Sequence, residues 1–231
     1  MNSKDSVKKQ QKNSKKRNPF RYFLFDFIKV TGAITASIWL RPKRLFASKT
    51  AKAHIRGGAV VIANHTRYLD PIALYFAFWY RRVHIMAMQE LFNTKLGNWF
   101  FRRALCIPVQ RPDFSIESFR AAMDVLKEGG VLGIFPEGHL NPDVSTVGSF
   151  KSGAVLMAVR GGVPIVPVYI VPPKKWYHRL VMVMGEPIDP KEMCGGAVNL
   201  RVIEDISQKL REKEMELMET YSTWKTKKSS K

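Results

Sequence analysis

The stretch Val60-Val61-Ile62-Ala63-Asn64-His65-Thr66-Arg67-Tyr68-Leu69-Asp70-Pro71 decides the fold of this chain. Its apolar beginning predicts a short buried strand. The pair Asp70-Pro71, followed by another apolar run, predicts the start of a helix, because Asp can accept free helix amides and Pro suits the first turn. The chain therefore passes from a strand through a short loop into a helix.

This loop carries a histidine and an aspartate that are five residues apart, His65 and Asp70. A carboxylate within reach of an imidazole fixes its tautomer, and an imidazole oriented in this way can take a proton from a hydroxyl. The alternative is a loop histidine beside an ordinary capping aspartate, with no chemistry. The loop alone leaves both interpretations open.

Beyond this loop, short apolar runs alternate with stretches of helical period. Such alternation predicts an α/β fold with a mostly parallel or mixed central sheet, flanked by helices on both faces. The predicted strands lie near residues 59–63, 84–88, 106–109, 131–135, 165–171 and 181–184. The predicted helices lie near residues 71–81, 94–105, 115–127, 151–159 and 199–218.

The positive charge is concentrated at the two ends of the sequence. The net charge is +19, and residues 1–58 carry 15 Lys and Arg against 2 Asp and Glu. Residues 225–231 add 4 Lys, so residues 59–224 carry 19 basic against 17 acidic side chains. A nearly neutral domain with cationic ends predicts a polyanionic partner, either an anionic membrane surface or a nucleic acid.

The sequence divides into four predicted segments. Residues 1–19 predict a disordered basic tail, and residues 20–54 an amphipathic, membrane-associating helical segment. Residues 55–220 form the predicted catalytic domain, and residues 221–231 a basic C-terminal tail. The uncharged run 30–40 is about half of the roughly 20 residues that span a bilayer. A helix packed on the domain's own core is the alternative for 20–54.

Several kinds of site find no support in the sequence. Cys106 and Cys194 are isolated, so neither a disulfide framework nor a Cys-based metal site is predicted, and a reducing compartment is expected. The histidines lack metal-binding spacing, and no nucleophile elbow or dinucleotide-binding glycine motif occurs. We therefore expect no metal and no bound cofactor.

Polar side chains follow three other predicted elements. Glu137 and Gly138 end one strand, where Glu137 is suited to a polyol and Gly138 to close backbone approach. Arg111 follows another strand, and Lys151 precedes a helix, so both are candidates for phosphate. Because ligands collect at the carboxyl ends of strands in α/β sheets, we expect these residues and His65 to face one crevice. Plain loop residues and a solvated arginine are the alternatives.

Taken in order, these stretches resemble the 1-acylglycerol-3-phosphate acyltransferase family of glycerolipid acyltransferases. The NHxxxxD motif is Asn64-His65 through Asp70, and the FPEG motif is Phe135 through Gly138. The second motif ends in Arg111, and the fourth, a proline-containing strand, is Val163–Tyr169. The resemblance covers roughly Ile55 to Pro190.

The resemblance implies transfer of an acyl group from acyl-CoA or acyl carrier protein to the free hydroxyl of 1-acylglycerol 3-phosphate. His65 would be the general base, oriented by Asp70. Arg111, Glu137 and Gly138 would hold the glycerol phosphate. A lysophospholipid acceptor explains a cationic, amphipathic N-terminus, and we expect the enzyme at the cytoplasmic face of a membrane.

Two positions depart from the family pattern, because Met88 and His139 stand where many relatives carry residues able to contact phosphate. Another lysophospholipid or hydroxyl lipid therefore remains an alternative acceptor, and Lys95 or Lys151 is a candidate to compensate. A nucleic-acid-binding protein is the alternative from another class. We expect no nucleic-acid partner, because the basic ends carry no known nucleic-acid-reading motif.

Overall fold

One seven-stranded sheet is the centre of the computed structural model, which describes residues 23–110, 115–141, 143–172, 179–194 and 199–229. The strands are β1 (Lys43–Phe46), β2 (Ala59–Ala63), β3 (Val83–Met88), β4 (Cys106–Val109), β5 (Val131–Ile134), β6 (Ile165–Val171) and β7 (Val181–Met184). Their order across the sheet is β1-β7-β6-β2-β5-β3-β4. The predicted α/β class is confirmed.

The helices of the described part of the chain are α1 (Phe23–Leu40), α2 (Asp70–Ala77), α3 (Lys95–Arg103), α4 (Ile116–Lys127), α5 (Gly153–Gly161), α6 (Pro190–Cys194) and α7 (Leu200–Ser229). Short 3₁₀ turns occur at Thr50–Lys52 and Gln89–Phe92. Within these ranges, no helix combines the length and the apolar character that a bilayer crossing requires.

The sheet is mixed, as predicted. Strands β2 to β6 run parallel to one another, whereas β7 is antiparallel to β6 and parallel to β1. Parallel strands joined by helices place all their carboxyl ends at one edge of the sheet. The ends of β2, β3, β4, β5 and β6 therefore meet at the same edge.

Helices cover both faces of the sheet, because the central strands are apolar on both sides. All five residues of β2 are buried. Val60 and Ile62 pack in the cluster that includes α4, α5 and α7, and Val61 and Ala63 in the cluster that includes α2. Such continuous apolar runs are typical of parallel strands buried on two faces. The His65 loop thus starts from the most buried strand.

The prediction of a helical segment over residues 20–54 is wrong for Lys43–Phe46. These residues form β1, which pairs in parallel with β7 from Lys43↔Val181 to Phe46↔Met184. As an edge strand, β1 tolerates exposed Lys and Arg. Because these charges interrupt the apolar pattern, the sequence did not predict a strand here. The folded domain therefore begins before residue 55.

The prediction of a separate basic tail over 221–231 is wrong for residues 221–229. Helix α7 continues to Ser229, and Tyr221 and Trp224 pack beside Leu217 on the outer strands of the sheet. Because the sequence after Met218 is rich in lysine, it did not predict that Tyr221 and Trp224 pack on the domain. The predicted tail 1–19 lies outside the described residues.

Candidate active site

The ends of β2 and β5 bring the two central motifs together. The strands are neighbours in the sheet, with Ile62 opposite Ile134, so the loops that follow them share one edge. The His65 ring stacks on the Phe135 ring, with centroids 4.2 Å apart and 24° between the planes. The predicted proximity of His65 and the Phe-Pro-Glu-Gly stretch is confirmed.

The predicted contact between the histidine and the aspartate is also confirmed. His65 Nδ1 lies 3.2 Å from Asp70 Oδ2. The same oxygen accepts the backbone amides of Thr66 and Arg67, each at 2.7 Å. Because Asp70 Oδ2 accepts from N–H groups, the proton of a neutral His65 ring belongs on Nδ1. Nε2 is then the basic nitrogen.

Asp70 holds this position because the carboxylate is buried at the start of α2. Its side chain is about 5% exposed, against 16% for His65. The expected capping of the helix's own amides is not seen, since Asp70 instead accepts the amides of the two loop residues Thr66 and Arg67. The aspartate therefore shapes the loop and orients the ring at the same time.

Two further contacts fix the backbone of His65. Its amide donates to Glu137 Oε1 at 2.9 Å, and its carbonyl accepts the Asn141 amide at 2.7 Å. The preceding residue, Asn64, is buried and exchanges two side-chain hydrogen bonds with the backbone of Ile170 on β6. The backbone of His65 is thus held rigidly where it leaves the sheet, and its ring is partly open to solvent.

Glu137 does not take the predicted position against substrate. Its side chain is 1% exposed, and its second oxygen, Oε2, accepts the Gly148 amide at 3.0 Å. Both oxygens are therefore used by backbone amides inside the protein. The side chain points inward, and we assign Glu137 to the positioning of His65.

Gly138 and Lys151 lie together beside the histidine loop. Gly138 has φ +73°, a conformation that favours glycine. A Cβ added there would lie 2.9 Å from Lys151 Cε and 3.1 Å from Nζ, so the lysine side chain passes directly over this glycine. The Lys151 amide also donates to the Pro136 carbonyl at 2.9 Å. The structure brings these two predicted residues together next to Phe135.

A pocket of about 360 Å³ opens at this edge of the sheet. Phe135, Gly138 and Lys151 form part of its wall. Sulfur and hydrocarbon side chains supply much of the rest, from β3, β5, α4 and α5: Met86, Met88, Phe119, Ile134, Leu156 and Met157. The pocket therefore combines an apolar interior with one ammonium group.

Arg111 lies outside the described residues, so its predicted phosphate contact stays a prediction. The residue before it, Gln110, directly follows β4 and lines the pocket. Gln110, Asn141 and Gly148 are the site residues that the sequence did not single out. Within the described ranges, no group of three His, Cys, Asp or Glu side chains is placed to hold a metal.

Comparison with known proteins identifies the family. The sequence model of the family described as Acyltransferase matches residues 44–171, more than half of the chain. The chain belongs to the acyltransferase family. The resemblance to the 1-acylglycerol-3-phosphate acyltransferases is confirmed, and the protein is an O-acyltransferase of that type.

Two curated relatives and one solved structure illustrate the similarity of this acyltransferase to known proteins. A 1-acyl-sn-glycerol-3-phosphate acyltransferase of Bacillus subtilis is 28% identical over 169 residues, which is 69% of this chain and 83% of the relative. One from Streptococcus pneumoniae is 26% identical over 71% of this chain and 62% of the relative. The crystal structure of the 1-acyl-sn-glycerophosphate acyltransferase PlsC from Thermotoga maritima aligns with a TM-score of 0.62 and 24% identity, over 94% of this chain and 88% of that one. This last likeness shows the shared fold.

Proposed function

We propose that this acyltransferase moves a fatty acyl group from an acyl thioester to the free hydroxyl of 1-acylglycerol 3-phosphate, which produces phosphatidic acid. The thioester is acyl-CoA or an acyl carrier protein. The observation that carries the proposal is the His65–Asp70 pair beside an apolar pocket that also holds Lys151. The names of the relatives from B. subtilis and S. pneumoniae support the acceptor.

In the proposed reaction, His65 is the general base. Nε2 takes the proton of the acceptor hydroxyl as its oxygen attacks the thioester carbonyl. The tetrahedral intermediate then expels the thiolate, which takes the proton back from the imidazolium. Asp70, 3.2 Å from Nδ1, stabilises the positive ring. Such positioned proton transfer contributes roughly 10²–10⁴ in rate, and no acyl-enzyme is required.

The pocket fits the apolar and the anionic parts of the substrates. Its methionine, leucine and isoleucine walls suit an acyl chain, since methionine adapts to flexible hydrocarbon. Lys151 supplies a cation for the acceptor phosphate, and Gly138 lets the lysine and the substrate approach the backbone. Arg111 is the proposed second phosphate ligand.

A second acceptor class is supported by Met88. This side chain is 36% exposed and lines the pocket. It stands at the position where the resemblance to the family implies a cation. An apolar side chain there weakens the case for a phosphate as the only head group. Another lysophospholipid or a hydroxyl lipid is therefore the alternative acceptor in the same reaction.

We also propose that the enzyme works on an anionic membrane surface at the cytoplasmic face, where anionic lipids attract Lys and Arg. Four large side chains of α1 are more than half exposed, Phe23, Phe27, Ile38 and Trp39. Packing on the domain core, the alternative for this segment, is not seen for these four. They suit the interface of a bilayer.

Helix α3 supports the membrane proposal independently of α1. None of its residues is buried, and three of its four apolar side chains, Leu96, Trp99 and Phe100, are exposed. Arg103 lies over the Trp99 ring at 4.6 Å from its centroid. Trp and Phe flanked by Lys and Arg, with no acid in the helix, are typical of a surface that lies on anionic lipid.

Vesicle binding tests this part of the proposal. We expect the protein to sediment with vesicles that contain phosphatidylglycerol and less with phosphatidylcholine alone. Weaker sedimentation is expected for a double variant that carries Trp99→Ser with Phe100→Ser. Weaker sedimentation is also expected, separately, for a deletion of residues 1–38. The deletion stops before Leu40, whose carbonyl accepts the Leu180 amide next to β1.

Leu200→Ser is the matched control, because Leu200 is also an exposed apolar residue but begins α7, outside both α1 and α3. Equal loss of binding in this control, or full binding by the double variant, would contradict a role for α3. Binding of the protein to DNA, without binding to vesicles, would favour the nucleic-acid alternative.

The reaction itself is tested with purified enzyme, an acyl-CoA and an acyl carrier protein thioester, and a panel of radiolabelled lysolipids. Formation of labelled phosphatidic acid from lysophosphatidic acid is the expected result. Transfer only to a lysolipid without a phosphomonoester would favour the alternative acceptor. Absence of transfer from every thioester would overturn the proposed function.

A further inference from the structure

Helix α7 reaches the active site from outside the residues that the family model matches. The match ends at residue 171, whereas α7 spans Leu200–Ser229. The helix packs in the same core as α5 and β6, through Ile203, Ile206 and Leu210. The next turn of α7 brings Arg211 and Glu214 close to Glu137 and its neighbours.

Three successive hydrogen-bonded links connect α7 to the catalytic histidine. Arg211 Nε donates to the carbonyls of Val147 and Gly148, both at 2.9 Å. The Gly148 amide donates to Glu137 Oε2 at 3.0 Å, and Glu137 Oε1 accepts the His65 amide at 2.9 Å. A shift of Arg211 is therefore transmitted to His65 through one turn and one buried carboxylate.

The turn at residues 147–148, in the middle of this series of hydrogen bonds, requires glycine at position 148. A Cβ added at Gly148 would overlap Glu137 Oε2 and lie 3.2 Å from Glu137 Cδ. The carboxylate sits so close to this backbone that any side chain at 148 displaces it. Gly148 thus sets the distance at which Glu137 meets both of its amides.

The surroundings of Glu137 are dry, which strengthens the hydrogen bonds that it accepts. Glu214 is fully buried, and among the described residues its carboxyl oxygens have no well-aligned hydrogen-bond donor, the backbone amide of Asn64 being the polar group that approaches it. Burial and, after it, the charge of Glu137 raise the pKa of Glu214, while the Asn64 amide lowers it. Burial thus favours the uncharged form of Glu214.

We propose that α7 positions the His65–Asp70 pair, with Arg211 fixing the 147–148 turn and this turn fixing Glu137 against the His65 backbone. Arg211 and Gly148 are positioning residues, since neither reaches the reacting atoms. The inference rests on the proposed role of His65 as the general base. Helix α7 would thus hold the His65–Asp70 pair in place from outside residues 44–171, the part of the chain that the family model matches.

The variants that test this inference are Arg211→Met and Gly148→Ala, with Lys209→Met as the matched control. Lys209 is an exposed cation on the same helix. We expect both test variants to lower kcat roughly tenfold or more, because small misplacements of a catalytic group cost up to about a hundredfold. The KM for the acyl donor should stay within about twofold, since the pocket wall is unchanged. Arg211→Lys, which keeps a donor, should recover part of the rate.

Two readouts separate positioning from a general loss of structure. In a Glu137→Gln background, Arg211→Met should have little further effect on kcat, because both changes act on the same chain of contacts. The amide ¹⁵N–¹H signal of His65 should shift in Arg211→Met and Gly148→Ala and stay unchanged in Lys209→Met.

The NMR readout needs no turnover, so it decides the inference even if the proposed acyl transfer fails. An unchanged His65 amide signal in both folded test variants would overturn the positioning role. Full additivity with Glu137→Gln would overturn it as well. If Arg211→Met does not fold, Gly148→Ala and Arg211→Lys carry the same test.

Discussion

The substitution Asp70→Asn removes the charge beside the catalytic histidine and keeps the geometry. A single oxygen, Oδ2, accepts His65 Nδ1 at 3.2 Å and the amides of Thr66 and Arg67 at 2.7 Å. The amide oxygen of Asn can take the place of Oδ2, so all three N–H groups retain an acceptor. What the variant lacks is the negative charge that stabilises the imidazolium.

The size of the effect follows from that contact. A hydrogen bond to a charged group contributes about 1.5–3 kcal/mol, and a neutral one about 0.5–1.5 kcal/mol. The lower bound of the loss is therefore about 1–2 kcal/mol. Coulomb's law at 3.2 Å and an effective dielectric constant of about 20 gives an upper bound of about 5 kcal/mol. We expect kcat to fall by at least about 10-fold and at most about 10⁴-fold.

The assay is the release of free CoA from an acyl-CoA in the presence of lysophosphatidic acid, at saturating concentrations of both. Circular dichroism and thermal unfolding establish that the variant folds. Asp124→Asn, an exposed aspartate of α4, is the control and should retain full activity. If folded Asp70→Asn keeps the wild-type kcat within about twofold, Asp70 has no electrostatic role and the reasoning fails.

Three further predictions concern the hydrogen bonds of Asn64, the pH dependence of stability and the acyl-chain pocket. Asn64→Ala should lower the free energy of unfolding by about 2–4 kcal/mol, because the backbone amide and carbonyl of Ile170 lose their hydrogen-bond partners in a buried site. Urea unfolding measures this change, and a loss under about 0.5 kcal/mol would contradict the prediction. Burial and the charge of Glu137 raise the pKa of Glu214 well above 4.5. The free energy of unfolding of the wild type should therefore fall as pH rises from 4.5 through the folded-state pKa, because the unfolded chain releases this proton first. In Glu214→Gln that part of the pH dependence should disappear, and an identical slope of unfolding free energy against pH in both proteins would refute the prediction. Leu156→Trp should fill part of the pocket and lower kcat/KM for long acyl donors more than for short ones, and equal effects on both would argue that the acyl chain binds elsewhere.

The local part of the site could be predicted from the sequence because its members are close in the chain or leave neighbouring strands. His65 and Asp70 are five residues apart, and only one loop geometry is needed to join them. The approach of Phe135 to His65 follows from the rule that parallel strands end at one edge of the sheet. These two contacts are present as predicted.

The direction of a side chain at a strand end is harder to predict. Glu137 follows β5 and was expected at the substrate, yet it points inward to two backbone amides. A carboxylate after a strand has the same local sequence in either orientation. The amides that hold it inward belong to His65 and Gly148, which are 72 and 11 residues away in the sequence, and local sequence patterns do not indicate such distant contacts.

The missed elements were hidden by charge and by separation along the chain. Strand β1 carries Lys43 and Arg44, because an edge strand needs to bury only one side. The part of α7 beyond Met218 is rich in lysine, and its packing depends on Tyr221 and Trp224. The link from Arg211 to the 147–148 turn joins residues more than 60 positions apart, and no sequence period marks it.

The central claim is that His65 is the base that activates the acceptor hydroxyl. The most direct measurement is kcat for acyl transfer by His65→Ala, compared with wild type in the same CoA-release assay. The structure predicts a fall of roughly 10²–10⁴ or more. The fold should stay intact, because the backbone of His65 keeps its hydrogen bonds to Glu137 and Asn141 when the ring is removed. A folded His65→Ala enzyme that retains wild-type turnover would contradict the claim.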